Sequence, residues 1–338
     1  MSVDGRLEGL EAWLHTCLPA LFVARGWGVP GAARLTPASS DASFRRYFRW
    51  EDGARSLIVM DAPPPQEDCR PFVKVASLLA GAGVHVPEIL AADLDRGYLL
   101  LPDLGRQTYL EVIDEGNADA LFEDALKALV AFQRLPVEGL LPAYDEALLR
   151  RELQLFPDWY LARHLGVTLA GEALVAWERT CERLVASALD QPRVLVHRDY
   201  MPRNLMLSSP NPGVLDFQDA VFGPVTYDVT CLFKDAFLSW PDVRVEAWLR
   251  RYWQLAQDAG IPLPASFAEL QRASDLMGAQ RHLKVIGIFA RICHRDGKPK
   301  YLGDVPRFFA YLDTVIARRP ELAPLGELLA GLPKEPAA

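Results

Sequence analysis

The sequence predicts an α+β chain in two lobes, a small β-rich lobe over residues 1–104 and a larger helical lobe over residues 105–338. Three observations predict it. The first hundred residues hold short runs of β-forming residues separated by turn residues. Beyond Gly105, apolar residues recur at helical spacing through several long stretches. Between Val194 and Ala220 that helical region is interrupted by short apolar runs alternating with polar clusters.

In chain order, Leu7, Leu10, Leu14, Cys17, Leu18, Leu21 and Phe22 mark a helix over Leu7 to Arg25. Ala33 to Leu35, Phe44 to Trp50 and Ser56 to Met60 read as strands. Thr36 to Ser43 is a small, polar connection, and Glu51-Asp52-Gly53 is a hairpin turn. Phe72 to Ala82 reads as a helix ending near Gly81 and Gly83. Val86 to Leu90 and Gly97 to Leu101 read as two further strands, and Leu101-Pro102-Asp103-Leu104-Gly105 as the hinge. Helical periodicity then covers Leu110 to Arg134, Leu148 to Leu165, Gly171 to Leu189, Val243 to Gln257 and Phe267 to Cys293. Within the interruption, Val194 to Val196, Leu205 to Leu207 and Val214-Leu215 read as short buried strands, with Pro210, Pro212 and Gly213 turning the chain.

Bulk properties narrow the class. A chain of 338 residues that is 50% hydrophobic can build one or two real cores. No apolar run reaches the length of a membrane span, and the first residues lack the basic start of a secretory signal. Five scattered cysteines with no CxxC pair suggest neither a disulfide framework nor a zinc site, and fit a reducing cytoplasm. A net charge of −8 gives no general attraction to nucleic acid or to an anionic membrane. An anionic nucleotide would need a local positive site and a metal ion. No repeat appears, and low complexity is confined to Pro63-Pro64-Pro65 and the tail GLPKEPAA.

The chemistry concentrates in His197-x-Asp199, Asn204 and Asp216-Phe217. The arrangement resembles the catalytic and metal-binding loops of kinases. Asp199 would accept a hydrogen bond from an attacking hydroxyl and align it with the γ-phosphorus of ATP. Asn204 and Asp216 would hold Mg²⁺ through oxygen, since Mg²⁺ takes few protein carboxylates and completes its shell with phosphate and water. Taken singly, Asp199 also reads as a turn residue, Asn204 as a turn amide and Asp216 as a cap. His197 reads as structural, and Asp219 is ambiguous between metal and solvent.

HRDYMPRN, LDFQDA and GPVTYDV together resemble the aminoglycoside phosphotransferase family of small-molecule kinases. The resemblance implies a two-lobed protein-kinase-like fold, ATP and Mg²⁺ as cofactors, and Asp228 as a structural anchor. The N-terminal lobe departs from the usual pattern. The expected phosphate-covering loop holds Ser39, Ser40, Asp41 and Ser43 and no glycine, and Met60 stands about where a third-strand lysine belongs. Arg45, Arg46 or Arg49 could supply the missing positive charge, or could form an ordinary solvated face. Arg46 is taken as nucleotide-binding with the loop residues, and backbone around Leu101 and Asp103 as the adenine contact.

Over roughly Leu7 to Leu332 the chain resembles one subgroup, bacterial anomeric kinases of N-acetylmuramate and N-acetylglucosamine. SDASFRRYFR, LPDLG, LRRELQLFPDWYLARHLG and GAQRHLKVIGIFARICHRDGKPKYL carry that resemblance. It implies phosphorylation of the anomeric hydroxyl to a sugar 1-phosphate for UDP-sugar synthesis in cell-wall recycling, with a small amino sugar and ATP as partners. Trp159 and Tyr160 could stack on a pyranose, with Phe156 beside them. Gln280, Lys284 and Arg291 share one helix face that could meet sugar hydroxyls and a carboxylate, or could face solvent. Two alternatives stay open: an antibiotic phosphotransferase, and a nucleotide-binding pseudokinase favoured by the missing glycines and lysine. The oligomeric state is not read from the sequence.

Overall fold

The computed structural model describes residues 5–39 and 44–333. They fall into two compact units, Met1–Gln107 with Met206–Asp219, and Thr108–Leu205 with Ala220–Ala338.

The first unit is built on a five-stranded antiparallel sheet. Its elements are α1 (Gly5–Arg25), β1 (Arg34–Ser39), β2 (Arg46–Glu51), β3 (Ser56–Asp61), α2 (Arg70–Gly81), β4 (Ala91–Asp93) and β5 (Tyr98–Pro102), with strand order β1-β2-β3-β5-β4. The β2–β3 hairpin closes where expected. Asp52 Oδ1 accepts from Ala54 N at 3.0 Å and Arg55 N at 2.8 Å, and Gly53 takes φ 86°, which only glycine adopts without cost. β2 alternates, so Phe48 and Trp50 point inward. They meet Leu10, Leu14, Leu18 and Phe22 of α1 together with Leu57, Val59, Tyr98 and Leu100. Met60 is fully buried.

The strand expected over Val86 to Leu90 does not form. Pro87 has no N–H to give to a ladder, and pairing begins only where Leu90 N donates to Leu100 O at 2.8 Å and β4 follows. Residues 206–219 belong to this unit. Leu207 N donates to Gln107 O at 2.9 Å, Val214 N donates to His85 O at 2.7 Å, and Phe217 packs on Phe72 with ring centroids 4.7 Å apart.

The second unit is mostly helical. The expected helix over Leu110 to Arg134 is two helices, α3 (Tyr109–Val112) and α4 (Ala118–Gln133). Asp114 Oδ1 accepts from Gly116 N and Asn117 N, and Asn117 Oδ1 accepts from Asp114 N, so local side-chain bonds replace the helical ladder between them. The helix expected over Leu148 to Leu165 also divides. α5 (Glu146–Leu153), capped by Asp145, gives way to wider π-helical turns over Phe156–Leu165, because Pro157 removes one intrahelical donor. Then come α6 (Gly171–Leu189), β6 (Arg193–Val196), β7 (Val221–Pro224), α7 (Tyr227–Phe233), α8 (Asp242–Asp258), α9 (Phe267–Asp296), α10 (Val305–Arg318) and α11 (Ala323–Ala330). β6 and β7 pair antiparallel, Val194 opposite Gly223. All seven residues of α7 are buried, so it shows no period to read. α9 is the spine of the unit. A Cβ at Gly287 would lie 2.4 Å from the Leu155 carbonyl carbon, so glycine there lets α9 approach the chain after α5.

Candidate active site

Asp199 stands on the loop leaving β6. His197 and Arg198, which precede it, are held by Asp228 from the first turn of α7: His197 N donates to Oδ2 at 2.7 Å and Arg198 N to Oδ1 at 3.0 Å. Asp228 is fully buried, and burial pushes its carboxyl up to about 6 against the pull of His197 and these two donors. Arg198 takes φ 79°, a left-handed conformation that a non-glycine residue keeps only when its surroundings hold it there. The buried His197 accepts from Asp199 N through Nδ1 at 3.3 Å. Asn204 ends the single turn Pro202–Asn204, and its Nδ2 donates to Asp199 O at 2.8 Å. Tyr200 drives its hydroxyl into the core, onto Ala125 O at 2.7 Å. Asp199 and Asn204 themselves are only half-buried.

A buried charge cluster lies behind this loop. Glu152 of α5 receives Arg198 Nη2 at 2.5 Å and Lys284 Nζ at 2.9 Å on Oε1. Its Oε2 accepts from the Tyr144 hydroxyl and from Gln280 Nε2, the latter at 3.1 Å. Burial opposes the charged form, yet Lys284 and Arg198 hold the carboxyl down at about 2. Arg281 Nη1 donates to Arg198 O at 2.8 Å, with its guanidinium 4.5 Å above the Tyr227 ring. Gln280 and Lys284, expected on a sugar-facing stripe, are thus buried and committed to Glu152. Arg291 lies two turns further along α9, half-buried. Tyr160 stacks on Phe156 at 5.5 Å and 18°, and Trp159 beside it is half-buried.

In the first unit, Asp216 is exposed, has φ 63°, and accepts from Gln218 Nε2 at 2.9 Å. Arg46 binds the fully buried Asp61, which also receives Arg6. Asp103 takes Arg49 Nε at 2.7 Å and the Ser56 hydroxyl. Burial works against its carboxylate, but those donors and Gly105 N hold it below the usual range. Leu101 is buried in β5, opposite Ile58. Arg45 pairs with Glu67 at 3.3 Å. Ser39 ends β1, while Ser40, Asp41 and Ser43 lie outside the described residues. The amide of Asn204 and the carboxylate of Asp216 each offer a hard oxygen of the kind Mg²⁺ takes.

Sequence reasoning missed Glu152, Arg198 and Arg281. Glu152 left a signal, since it falls on the apolar stripe Leu149, Leu153, Phe156, where a charge needs a partner. It also missed Asp235, 2% exposed, whose Oδ1 accepts from Ala236 N and whose Oδ2 has no partner. Among the described residues no helix is long and apolar enough to cross a membrane.

A family model described as the phosphotransferase enzyme family matches residues 34–270. The N-acetylmuramate/N-acetylglucosamine kinase of Pseudomonas aeruginosa is 75% identical over 334 residues, 99% of each chain. The protein of the same name from Neisseria meningitidis is 46% identical over 329 residues, 96% of this chain and 95% of that one. Among solved structures, a putative aminoglycoside phosphotransferase from Ralstonia eutropha has a TM-score of 0.60 at 14% identity, covering 95% of this chain and 99% of that one. A choline/ethanolamine kinase family protein from Mesorhizobium loti has a TM-score of 0.57 at 15% identity, covering 88% and 93%. These structures share the two-lobed α+β kinase-like fold. A family match across most of the chain and relatives aligned end to end lead to one assignment: this chain belongs to the phosphotransferase enzyme family.

Proposed function

We propose that the protein transfers the γ-phosphoryl group of ATP to the anomeric hydroxyl of N-acetylmuramate or N-acetylglucosamine, releasing ADP and the sugar 1-phosphate. The observation that carries this reading is the 75% identical relative of that name, aligned over 99% of both chains. The loop geometry supports it. Asp199 rests on a backbone fixed by Asp228 and Asn204, so its carboxylate can be held for one hydroxyl. In a loose phosphoryl-transfer transition state, that alignment matters more than high basicity. Asn204 and Asp216 are assigned to Mg²⁺, which would offset the negative charge of the phosphates. Backbone near Leu101 and Asp103 is assigned to adenine, and Ser39, Ser40, Asp41 and Ser43 to the phosphates. A cytoplasmic place in cell-wall recycling, supplying UDP-sugar synthesis, belongs to the same reading.

The test is ADP release with Mg²⁺-ATP and a panel of N-acetylmuramate, N-acetylglucosamine, glucose, kanamycin and no acceptor. Release with the N-acetyl sugars, with phosphate on C1 by NMR, is the expected result. Release with kanamycin alone would overturn the substrate. Asp199→Ala should keep nucleotide binding by calorimetry and lose at least about 100-fold in turnover. Near-normal turnover of this variant would refute the role of Asp199.

A further inference from the structure

The geometry points to Glu152 as the positioning residue for Asp199, acting through Arg198. The inference rests on the reading of Asp199 as the group that orients the acceptor hydroxyl.

Arg198 immediately precedes Asp199 and holds φ 79°. Three charged side chains from three helices hold it. Asp228 of α7 takes its N–H at 3.0 Å, Arg281 of α9 gives to its carbonyl at 2.8 Å, and Glu152 of α5 takes its guanidinium at 2.5 Å. The first two hold the backbone directly. Glu152 holds the segment through the side chain and fixes where that side chain goes, which matters because of the charges nearby. Arg198, Arg281 and Lys284 are three cations against two buried carboxylates, Glu152 and Asp228. Asp199 is the next carboxylate along the chain and follows Arg198 directly, so it is the group a released Arg198 guanidinium would turn to. Glu152 occupies Arg198 and Lys284 on one oxygen, while Tyr144 and Gln280 fill the other. With those cations engaged, Asp199 is not drawn into a closed ion pair with its own neighbour and stays directed at the acceptor. The Arg198 Nε has no hydrogen-bond partner, so the side chain is aimed at Glu152 with a buried donor left unpaired.

The test is a charge-balanced pair of variants. Glu152→Gln keeps the shape and removes the charge. It should lower kcat about 100-fold, the scale of a misplaced reacting group, with the ATP KM unchanged. Adding Lys284→Met removes one buried charge of the other sign and should recover much of the thermal midpoint. On this inference kcat stays low in the double variant, because Arg198 is still released toward Asp199. A kcat that recovers with the midpoint would reduce Glu152 to a structural part and overturn the inference, as would wild-type kcat in Glu152→Gln. If the single variant does not fold, the double variant is compared with wild type directly, and wild-type kcat there again overturns the inference. Amide hydrogen exchange across residues 197–199 gives a readout that does not need turnover, and should be faster in Glu152→Gln. Unchanged exchange counts against the anchor. Failure of the wild-type protein to phosphorylate amino sugars would instead strike the proposed function, leaving exchange to decide about Glu152.

Discussion

Asp61 in the sheet unit and Glu152 in the helical unit are both buried carboxylates that hold two cations, and they are built differently. The partners of Asp61, Arg6 and Arg46, keep 35% and 37% of their side chains in water. Those of Glu152, Arg198 and Lys284, keep 20% and 10%. Arg6 also donates to Arg96 O and lies over Tyr98, and Arg46 lies over Phe48, so each has other company. Asp61 ties α1 and β2 to the end of β3, a clasp at the border of the sheet. Glu152 closes a network that is mostly withdrawn from water. Losing a partner therefore costs different amounts: a half-solvated guanidinium rehydrates, whereas a buried cation cannot.

The sharpest way to break this comparison is Glu152→Ala. It strands Arg198 and Lys284 in the interior and should cost about 3–5 kcal/mol in denaturant unfolding. The carboxyl of Glu152 is held at about 2 against an ordinary 4.5. Its contribution is therefore complete above pH 4.5 and disappears as pH falls toward 2. Asp61→Ala should cost less, about 2 kcal/mol, since what it loses is charge-assisted hydrogen bonds whose donors can turn to water. A cost for Asp61→Ala equal to that of Glu152→Ala would erase the distinction.

The third test concerns a buried carboxylate that lacks such partners. Burial pushes Asp235 up to about 7 from 3.8. Between those values the folded state keeps a proton that the unfolded state has lost, so this group's contribution to stability falls as pH rises through the window. Asp235→Asn should raise the unfolding midpoint at pH 8 by an amount equivalent to about 1–2 kcal/mol and leave it unchanged near pH 3. A loss of stability at pH 8 would mean that the charge of Asp235 is satisfied.

Much of the fold could be read from the chain because its signals are local. α1 follows from the spacing of Leu10, Leu14, Leu18 and Phe22, and the β2–β3 hairpin from Asp52 and Gly53. The errors fell where a local competitor wins: Pro87 against a strand, Asp114 and Asn117 against one long helix, Pro157 against regular α-turns. In the candidate site, Asp199 and Asn204 could be singled out from their five-residue spacing, and the structure joins them on one loop by a side-chain bond. Gln280 and Lys284 were legible as one face of α9, but the face by itself does not say what covers it.

The sequence by itself determined the order and type of most elements, the two-part division of β and helical character, and the loop that bears Asp199 and Asn204. These depend on periodicity, turn chemistry and residue types within a few positions of each other. Only the tertiary structure decided that Lys284 and Gln280 turn to Glu152, that Arg281 reaches the Arg198 carbonyl, and that Asp228 holds two amide groups thirty and thirty-one positions away. Those partners lie on different helices, and a buried charge finds its counter-charge through packing in three dimensions, at separations where the sequence carries no spacing rule.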